Sequence, residues 1–329
     1  MDKEYKLLIT GGAGFIGSNL VIKYINDPRV SLVRVVDDLS NGYYSNIEAF
    51  VGHPKFEFIK GDICDYEVCL NVTKDIDKIT HQAALGSVPR SISNPMRSTE
   101  VNILGTVNMM YAAHINGADR VVLACSSSTY GDSTELPKVE SRIGKPLSPY
   151  AVTKYAVEVF ADVFHKTYNL NYVGLRYFNI FGPRQNPENP YAAVIPLFCK
   201  AFQQGINPVI FGDGETSRDF TYVANALHAN DLALFTENQD ALNEVYNVAC
   251  GDQISLNEMV EHLKDISGKD IPAVYKIERP GDVKHSKADI TKISEKLGYK
   301  PQVLFKEGLK NVFEWYEKES LSLSKTEIH

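Results

Sequence analysis

Near the start of the chain stands Tyr5-Lys6-Leu7-Leu8-Ile9-Thr10-Gly11-Gly12-Ala13-Gly14-Phe15-Ile16-Gly17. A short apolar, β-favouring run feeds straight into clustered glycines, and helical patterning follows over Gly14–Tyr24. A strand that turns through glycines into a helix is the opening of a βαβ unit. Such glycines let the backbone approach a pyrophosphate, while the helix N-terminus supplies free N–H groups and partial positive charge. Asp37 lies 20 residues after Gly17, at the end of the next apolar run, Leu32–Asp37. A carboxylate there accepts hydrogen bonds from a ribose 2′-hydroxyl and repels a 2′-phosphate, so NAD is expected rather than NADP. Asp62 closes the third run and is expected to reach the adenine end.

Outward from this unit the same rhythm continues. Phe56–Lys60, Lys78–Gln82, Arg120–Cys125 and Asn171–Arg176 read as further strands, with helical stretches at Asn102–His114 and Pro149–Tyr168. A seventh strand candidate, Val245–Ala249, comes after a long excursion rich in Pro, Gly and Asn. The expected fold is α/β: a Rossmann-type doubly wound parallel sheet with a smaller, discontinuous α/β substrate-binding lobe over its carboxyl edge. Residues 1–180, joined by about 240–255, form the NAD-binding part; 181–239 and 256–320 form the lobe; 321–329 are a frayed tail. Leu309, Val312, Phe313 and Tyr316 fall at i, i+3, i+4 and i+7, a helical packing stripe.

Composition narrows the class. The 329 residues are 44% hydrophobic and 23% charged, with a formal net charge of −7. That balance argues against a nucleic-acid-binding surface. Five scattered cysteines with no C-x-x-C pair, and no H-e-x-x-H spacing, exclude a disulfide framework and leave no metal site to expect. No apolar stretch approaches bilayer length and Met1–Lys6 is polar, so a soluble, cytoplasmic protein is expected.

The chemistry gathers after the fifth strand, which runs into Ser126-Ser127-Ser128-Thr129-Tyr130-Gly131. Further on, Tyr150 has a lysine, Lys154, four positions later, as no other tyrosine here does. The spacing places phenol and ammonium on one helical face. A tyrosine of pKa about 10 is a poor base at neutral pH. Lys154, with a positively charged nicotinamide, is expected to favour the phenolate; a shift of about 3 units corresponds to roughly 4 kcal/mol.

Thr10-Gly-Gly-Ala-Gly-Phe-Ile-Gly17, Ser126 with Tyr150-x-x-x-Lys154, and Arg176-Tyr-Phe-Asn179 together resemble the extended short-chain dehydrogenase/reductase family, over nearly the whole chain. The resemblance implies that Tyr150 is the acid/base and Ser126 its hydrogen-bonding partner at a sugar hydroxyl. Lys154 would hold the nicotinamide ribose. Tightly bound NAD would lie against Gly11, Gly14, Phe15, Ile16, Gly17, Asp37, Asn41, Asp62, Ile63, Ala83, Ala84, Asn102 and Tyr177 besides Tyr150 and Lys154. A UDP-linked sugar would meet Ser87, Ser126, Ser127, Asn179, Ala193, Val194, Val209 and Phe211. Arg218 and Arg279 match the family's diphosphate-binding arginines, Asp282 its ribose-binding carboxylate, and Ser286 lines the sugar pocket.

Dehydratases and decarboxylases of this family carry Asp or Glu just after the serine, whereas this chain has Ser127 and Ser128. Unactivated hydroxyls cannot replace that carboxylate, which leaves a reaction needing one base and a redox cofactor: 4-epimerisation through a 4-keto sugar. Gly86-Ser-Val-Pro-Arg-Ser91, Ser148-Pro-Tyr-Ala-Val-Thr-Lys154, Tyr191-Ala-Ala-Val-Ile-Pro196 and Gly281-Asp-Val-Lys-His-Ser286 resemble most the epimerases of UDP-N-acetylglucosamine and its uronic acid. There a serine at position 286 replaces a bulky tyrosine of galactose-type enzymes and leaves room for a 2-acetamido group. Arg90 is a candidate partner for a sugar carboxylate. Alternatives left open are a UDP-glucose/UDP-galactose 4-epimerase, a nucleotide-sugar reductase or dehydrogenase, and a non-catalytic nucleotide sensor. Apolar stripes on Asn102–His114 and Pro149–Tyr168 imply, by the same resemblance, a homodimer.

Overall fold

The computed structural model describes residues 4–186, 193–278 and 284–326, with side chains through residue 319. Seven parallel strands form the central sheet: β1 (Tyr5–Thr10), β2 (Val30–Asp37), β3 (Phe56–Lys60), β4 (Lys78–His81), β5 (Arg120–Ser126), β6 (Asn171–Tyr177) and β7 (Glu244–Val248). Their order is β7-β6-β5-β4-β1-β2-β3, every pair parallel. Each strand lies within two residues of the run that announced it. The order reverses between β1 and β4, the switch point at which such sheets open a crevice. Register sets the crevice floor: Thr10 pairs with Val36 and His81, and Ser126 pairs with Tyr177, so the carboxyl ends of five strands meet along one edge.

Both faces of the sheet are apolar, and both are covered. On one side Leu8, Ile79, Val121 and Leu123 pack under α2 (Tyr66–Val72), α3 (Gly105–Ile115) and α4 (Pro149–Tyr168). On the other, Leu7, Ile9 and Val122 pack under α1 (Phe15–Ile25). A second helix on that side, Val223–Phe235, corrects the expected division of the chain. Placed in the lobe by its position within 181–239, it lies instead on the sheet, with Ala226, Ala229 and Ala233 in the core. Alanines at i, i+3 and i+7 make a flat face that lets a helix approach a sheet closely. Ile293 and Leu297, from the expected second lobe segment, join the same core.

A separate apolar cluster joins helices Val194–Gln204, Leu256–Ser267 and Phe305–Thr326, and holds the stripe of Leu309, Val312, Phe313 and Tyr316. One buried ion pair ties α4 to β6. The Arg176 guanidinium donates to both Glu158 oxygens at 2.9 and 2.7 Å, and its ring-facing side lies 4.9 Å from the centre of Tyr130. A further set of contacts joins segments remote in sequence. Asn19 donates to the Pro183 carbonyl (3.1 Å), Arg184 to that of Asn46 (2.7 Å), Asn186 to the Tyr43 hydroxyl (2.6 Å), and the Tyr316 hydroxyl to the Gln185 carbonyl. Arg184 holds this position at a φ of 71°, in the left-handed region.

Candidate active site

A cleft of about 830 Å³ opens over the switch point and runs from the β1 turn to the start of α4. At one end is the glycine turn. Gly11 has a φ of 67°, and a Cβ there would meet the Ala83 backbone at 2.8 Å; at Gly17 a Cβ would come within 2.1 Å of the Gly11 carbonyl. The packing tolerates no side chain, so the turn stays flat against whatever lies over it. The cap residue of α1, Gly14, has no side-chain partner, which leaves the first helical N–H groups available to an anion.

Beside this turn Asp37 accepts from Ala13 N and Leu39 N, both at 2.9 Å, and burial pushes its carboxyl up. Each oxygen keeps a lone pair for a ribose hydroxyl. Burial pushes the Asp62 carboxyl up, but Arg97, 2.8 Å away, and the hydrogen bond from Cys64 N (2.9 Å) together hold it below its ordinary value. Arg97 carries no motif of its own and escaped the sequence reading. A flat glycine cradle, an uncapped helix and a carboxylate at the ribose position fit a dinucleotide.

At the other end, α4 delivers Tyr150 and Lys154. The helix starts where it does because Ser148 accepts from Ala151 N (3.1 Å) and Pro149 occupies the first turn. The Tyr150 N–H donates to Ser91 Oγ (3.0 Å), which fixes the first turn of α4 against helix Val88–Ser93. Ser126 Oγ accepts from Ser128 N (3.2 Å) and lies 2.9 Å from Ser128 Oγ. Lys154 Nζ donates to the Ala124 carbonyl (2.7 Å), and burial brings the ammonium down to about 8. The expected lowering of Tyr150 is not supplied by these residues. Burial pushes the phenol up, and the opposing hydrogen bond from Ser126 only moderates this. Desolvation disfavours the phenolate more than one neighbouring hydroxyl can offset.

The cleft gathers most of the expected residues: Gly11, Gly14, Phe15, Ile16, Gly17, Asp37, Asn41, Asp62, Ile63, Ala83 and Ala84 at the first end, and Ser126, Ser127, Tyr150, Lys154, Tyr177, Asn179, Arg218 and Ser286 towards the second. Ala193, Val194, Val209 and Phe211 line an adjoining cavity of about 560 Å³, which shares Asn179 and Arg218 with the first. Two expected residues do not face the cleft. Asn102 is 1% exposed, accepts from Leu85 N (2.8 Å) and donates to Leu85 O and Thr153 Oγ1, so it braces α4 against the 83–86 loop rather than a cofactor. Ser87 caps helix Val88–Ser93 by accepting from Arg90 N (3.1 Å), instead of lining a sugar pocket. Arg90 reaches Asn41 (3.0 Å), on the dinucleotide side. Arg279 and Asp282 lie outside the described residues.

The five cysteines are free thiols, and no metal-binding cluster is found among the described residues. Nor is any described helix long and apolar enough to cross a membrane.

The model of the GDP-mannose 4,6-dehydratase family matches residues 8–312. UDP-glucose 4-epimerase of Mycolicibacterium smegmatis is 33% identical over 317 residues, 96% of this chain and 99% of its own. Among solved structures, UDP-N-acetylglucosamine 4-epimerase from Methanobrevibacter ruminantium, in complex with UDP-N-acetylmuramic acid, superposes with a TM-score of 0.90 at 40% identity, over 96% of this chain and 99% of that one. UDP-glucuronic acid 4-epimerase from Bacillus cereus, in complex with UDP-glucuronic acid and NAD, gives 0.88 at 31% identity, over 95% and 99%. The chain belongs to the extended short-chain dehydrogenase/reductase family of nucleotide-sugar enzymes, among its UDP-sugar 4-epimerases.

Proposed function

We propose that this protein is an NAD-dependent 4-epimerase that interconverts UDP-N-acetylglucosamine and UDP-N-acetylgalactosamine, or the corresponding uronic acids, with Tyr150 as acid/base. One observation carries the reading: Ser126, Tyr150 and Lys154 converge in a cleft whose lining carboxylates, among the described residues, all lie at the dinucleotide end. Tyr150 stands at the chemical end to move a proton, and no carboxylate lines that end among the described residues, which suits epimerisation rather than elimination.

The glycine turn and Asp37 hold the dinucleotide, and Arg218 meets the substrate diphosphate where the two cavities join. Val209 and Phe211 flank the nucleotide base. Bound NAD supplies a hydride acceptor and donor at the sugar's C4. The Tyr150 phenolate takes the O4 proton as it becomes a phenol, and the phenol later returns the proton to O4, so one proton moves in each direction. Ser126 orients the O4 hydroxyl by hydrogen bonding. Because a single site oxidises and re-reduces, the cofactor stays bound and no net redox change results. Ser286 lines the cleft with a short hydroxymethyl side chain, which supports a sugar that carries an acetamido group.

The test is proton NMR of the purified protein with UDP-N-acetylglucosamine and no added NAD. Anomeric signals of the galacto epimer are expected. Conversion of UDP-glucose alone would sink the acetamido assignment, and stoichiometric consumption of added NAD would favour a dehydrogenase. In the same assay Ser286→Tyr is expected to lower kcat/KM for the acetamido sugar about 10–100-fold relative to UDP-glucose, the range typical of steric rejection in a pocket.

We also propose a homodimer. Val152, Tyr155, Val159 and Val163 form an exposed stripe along α4 next to exposed Tyr111 and Ile115 of α3. A two-fold pairing of these faces would remove them from water. Light scattering should give twice the mass of the chain; a monomer at micromolar concentration would refute it.

A further inference from the structure

The cleft is electrically polarised along its length. Its lining carboxylates, Asp37, Asp38 and Asp62, belong to the ends of β2 and β3; its lining cations, Lys138, Lys154 and Arg218, lie at the opposite end. Lys154 is engaged with Ala124 beside Tyr150, and Arg218 donates to the carbonyls of Ser217 and Lys284 at the junction of the cavities. Lys138 remains, and nothing in the reaction as derived above uses it.

Its placement is unusual for a lysine. Lys138 is 5% exposed, and its ammonium donates to the Ser133 carbonyl. No carboxylate among the described residues pairs with it. Glu135, whose charge acts on it, is itself paired with Arg142 at 3.2 Å. The main chain holds the residue from both sides: Lys138 N donates to Lys287 O (2.7 Å), while its carbonyl accepts from Asp289 N and Asn247 Nδ2 (both 2.9 Å). Lys138 is thereby fixed against the strand-like segment that carries Ser286, in the same wall of the cleft. An ammonium has three donors, and the Ser133 carbonyl takes one. A cation buried without a counter-ion is costly, and burial accordingly drives this one's proton affinity down. An anion delivered by the substrate would offset that cost.

We propose that Lys138 reads a carboxylate on the substrate sugar, so that the uronic acids are the preferred members of the two substrate pairs. This rests on the epimerase reading above and sharpens it. The diphosphate is common to all the candidate substrates, so a lysine that served only the diphosphate would not discriminate between them. Lys138 makes the sugar's own charge matter.

The test compares UDP-N-acetylglucosaminuronic acid with UDP-N-acetylglucosamine on the holoenzyme, for the wild type, Lys138→Gln and Lys138→Arg. Glutamine keeps a donor for the Ser133 carbonyl and removes the charge; arginine keeps the charge. Epimerisation gives kcat/KM, and titration calorimetry gives Kd. The wild type should favour the uronic acid by about 10-fold or more, and Lys138→Gln should collapse that ratio by about 10–100-fold, as for a lost hydrogen bond between charged groups. Lys138→Arg should retain part of it. An equal loss on both sugars would show a loop brace or a diphosphate contact and overturn the proposal, as would an unchanged ratio. Binding separates the two readings. A uronate preference in Kd that depends on Lys138, without epimerisation of either sugar, would defeat the epimerase reading and leave Lys138's role standing.

Discussion

Tyr150→Phe is expected to lower epimerisation by at least about 10²–10⁴-fold while the purified protein keeps its NAD. The substitution removes one oxygen and leaves the buried ring, so packing around α4 is retained. What disappears is the group that exchanges a proton with the sugar. Ser126, whose hydroxyl opposes the effect of burial on the phenol, also loses its partner. The sign of the pH dependence follows from burial. A phenol pushed up is protonated at neutral pH, so the phenolate fraction rises about tenfold per pH unit until the pKa is passed. The wild-type kcat/KM should therefore climb with pH, and the residual rate of the variant should be flat over that range. A variant within tenfold of the wild type would remove Tyr150 from the chemistry.

Glu158→Ala should carry the largest stability effect, a loss of about 3–5 kcal/mol in denaturant unfolding. Both partners of the Arg176–Glu158 pair are nearly inaccessible, with side-chain exposures of 5% and 6%. Removing the carboxylate leaves a guanidinium inside the core with only the Glu140 carbonyl and the Tyr130 ring for company. Glu158→Gln retains hydrogen bonding and should lose less. The site would register the change too: Glu158 sits one turn beyond Lys154 and supports its charge against burial, so without it the ammonium falls further from its present value of about 8. A measured loss under 1 kcal/mol would mean that water reaches the pair.

The sheet was legible because its strands are buried on both faces and so read as unbroken apolar runs such as Leu7-Leu8-Ile9 and Val121-Val122-Leu123. Tyr150 and Lys154 were legible because one helical turn separates them. What escaped depends on partners far away in sequence. Asn102 carries the right chemistry for a site, yet its hydrogen bonds go to Thr153 and Leu85, which no local pattern announces. Ser87 differs, because its cap on Arg90 N, three residues on, is a local signal that Ser87-Val88-Pro89 already carried. Lys138 is a single lysine in a loop, and only the fold removes its solvent and its counter-ion. The Val223–Phe235 helix lies on the sheet although Phe220 and Tyr222, just before it, pack in the separate cluster; its alanine spacing was the available signal.

The contacts of residues 183–186 bear on the order in which a ribosome can complete this molecule. The loop that backs the glycine turn, Tyr43–Asn46, is emitted early, with Tyr43 N and Asn46 Nδ2 both donating to the Ala13 carbonyl. Its outer braces, Arg184 and Asn186, emerge some 140 residues later, and Tyr316, which anchors their loop, follows roughly 130 residues after them. At synthesis rates of about 5–20 residues per second, the early βαβ unit waits many seconds for that clasp. A nascent chain stalled before residue 183 can form the dinucleotide turn but cannot lock it. The clasp thus closes only once Arg184, Asn186 and Tyr316 have all emerged.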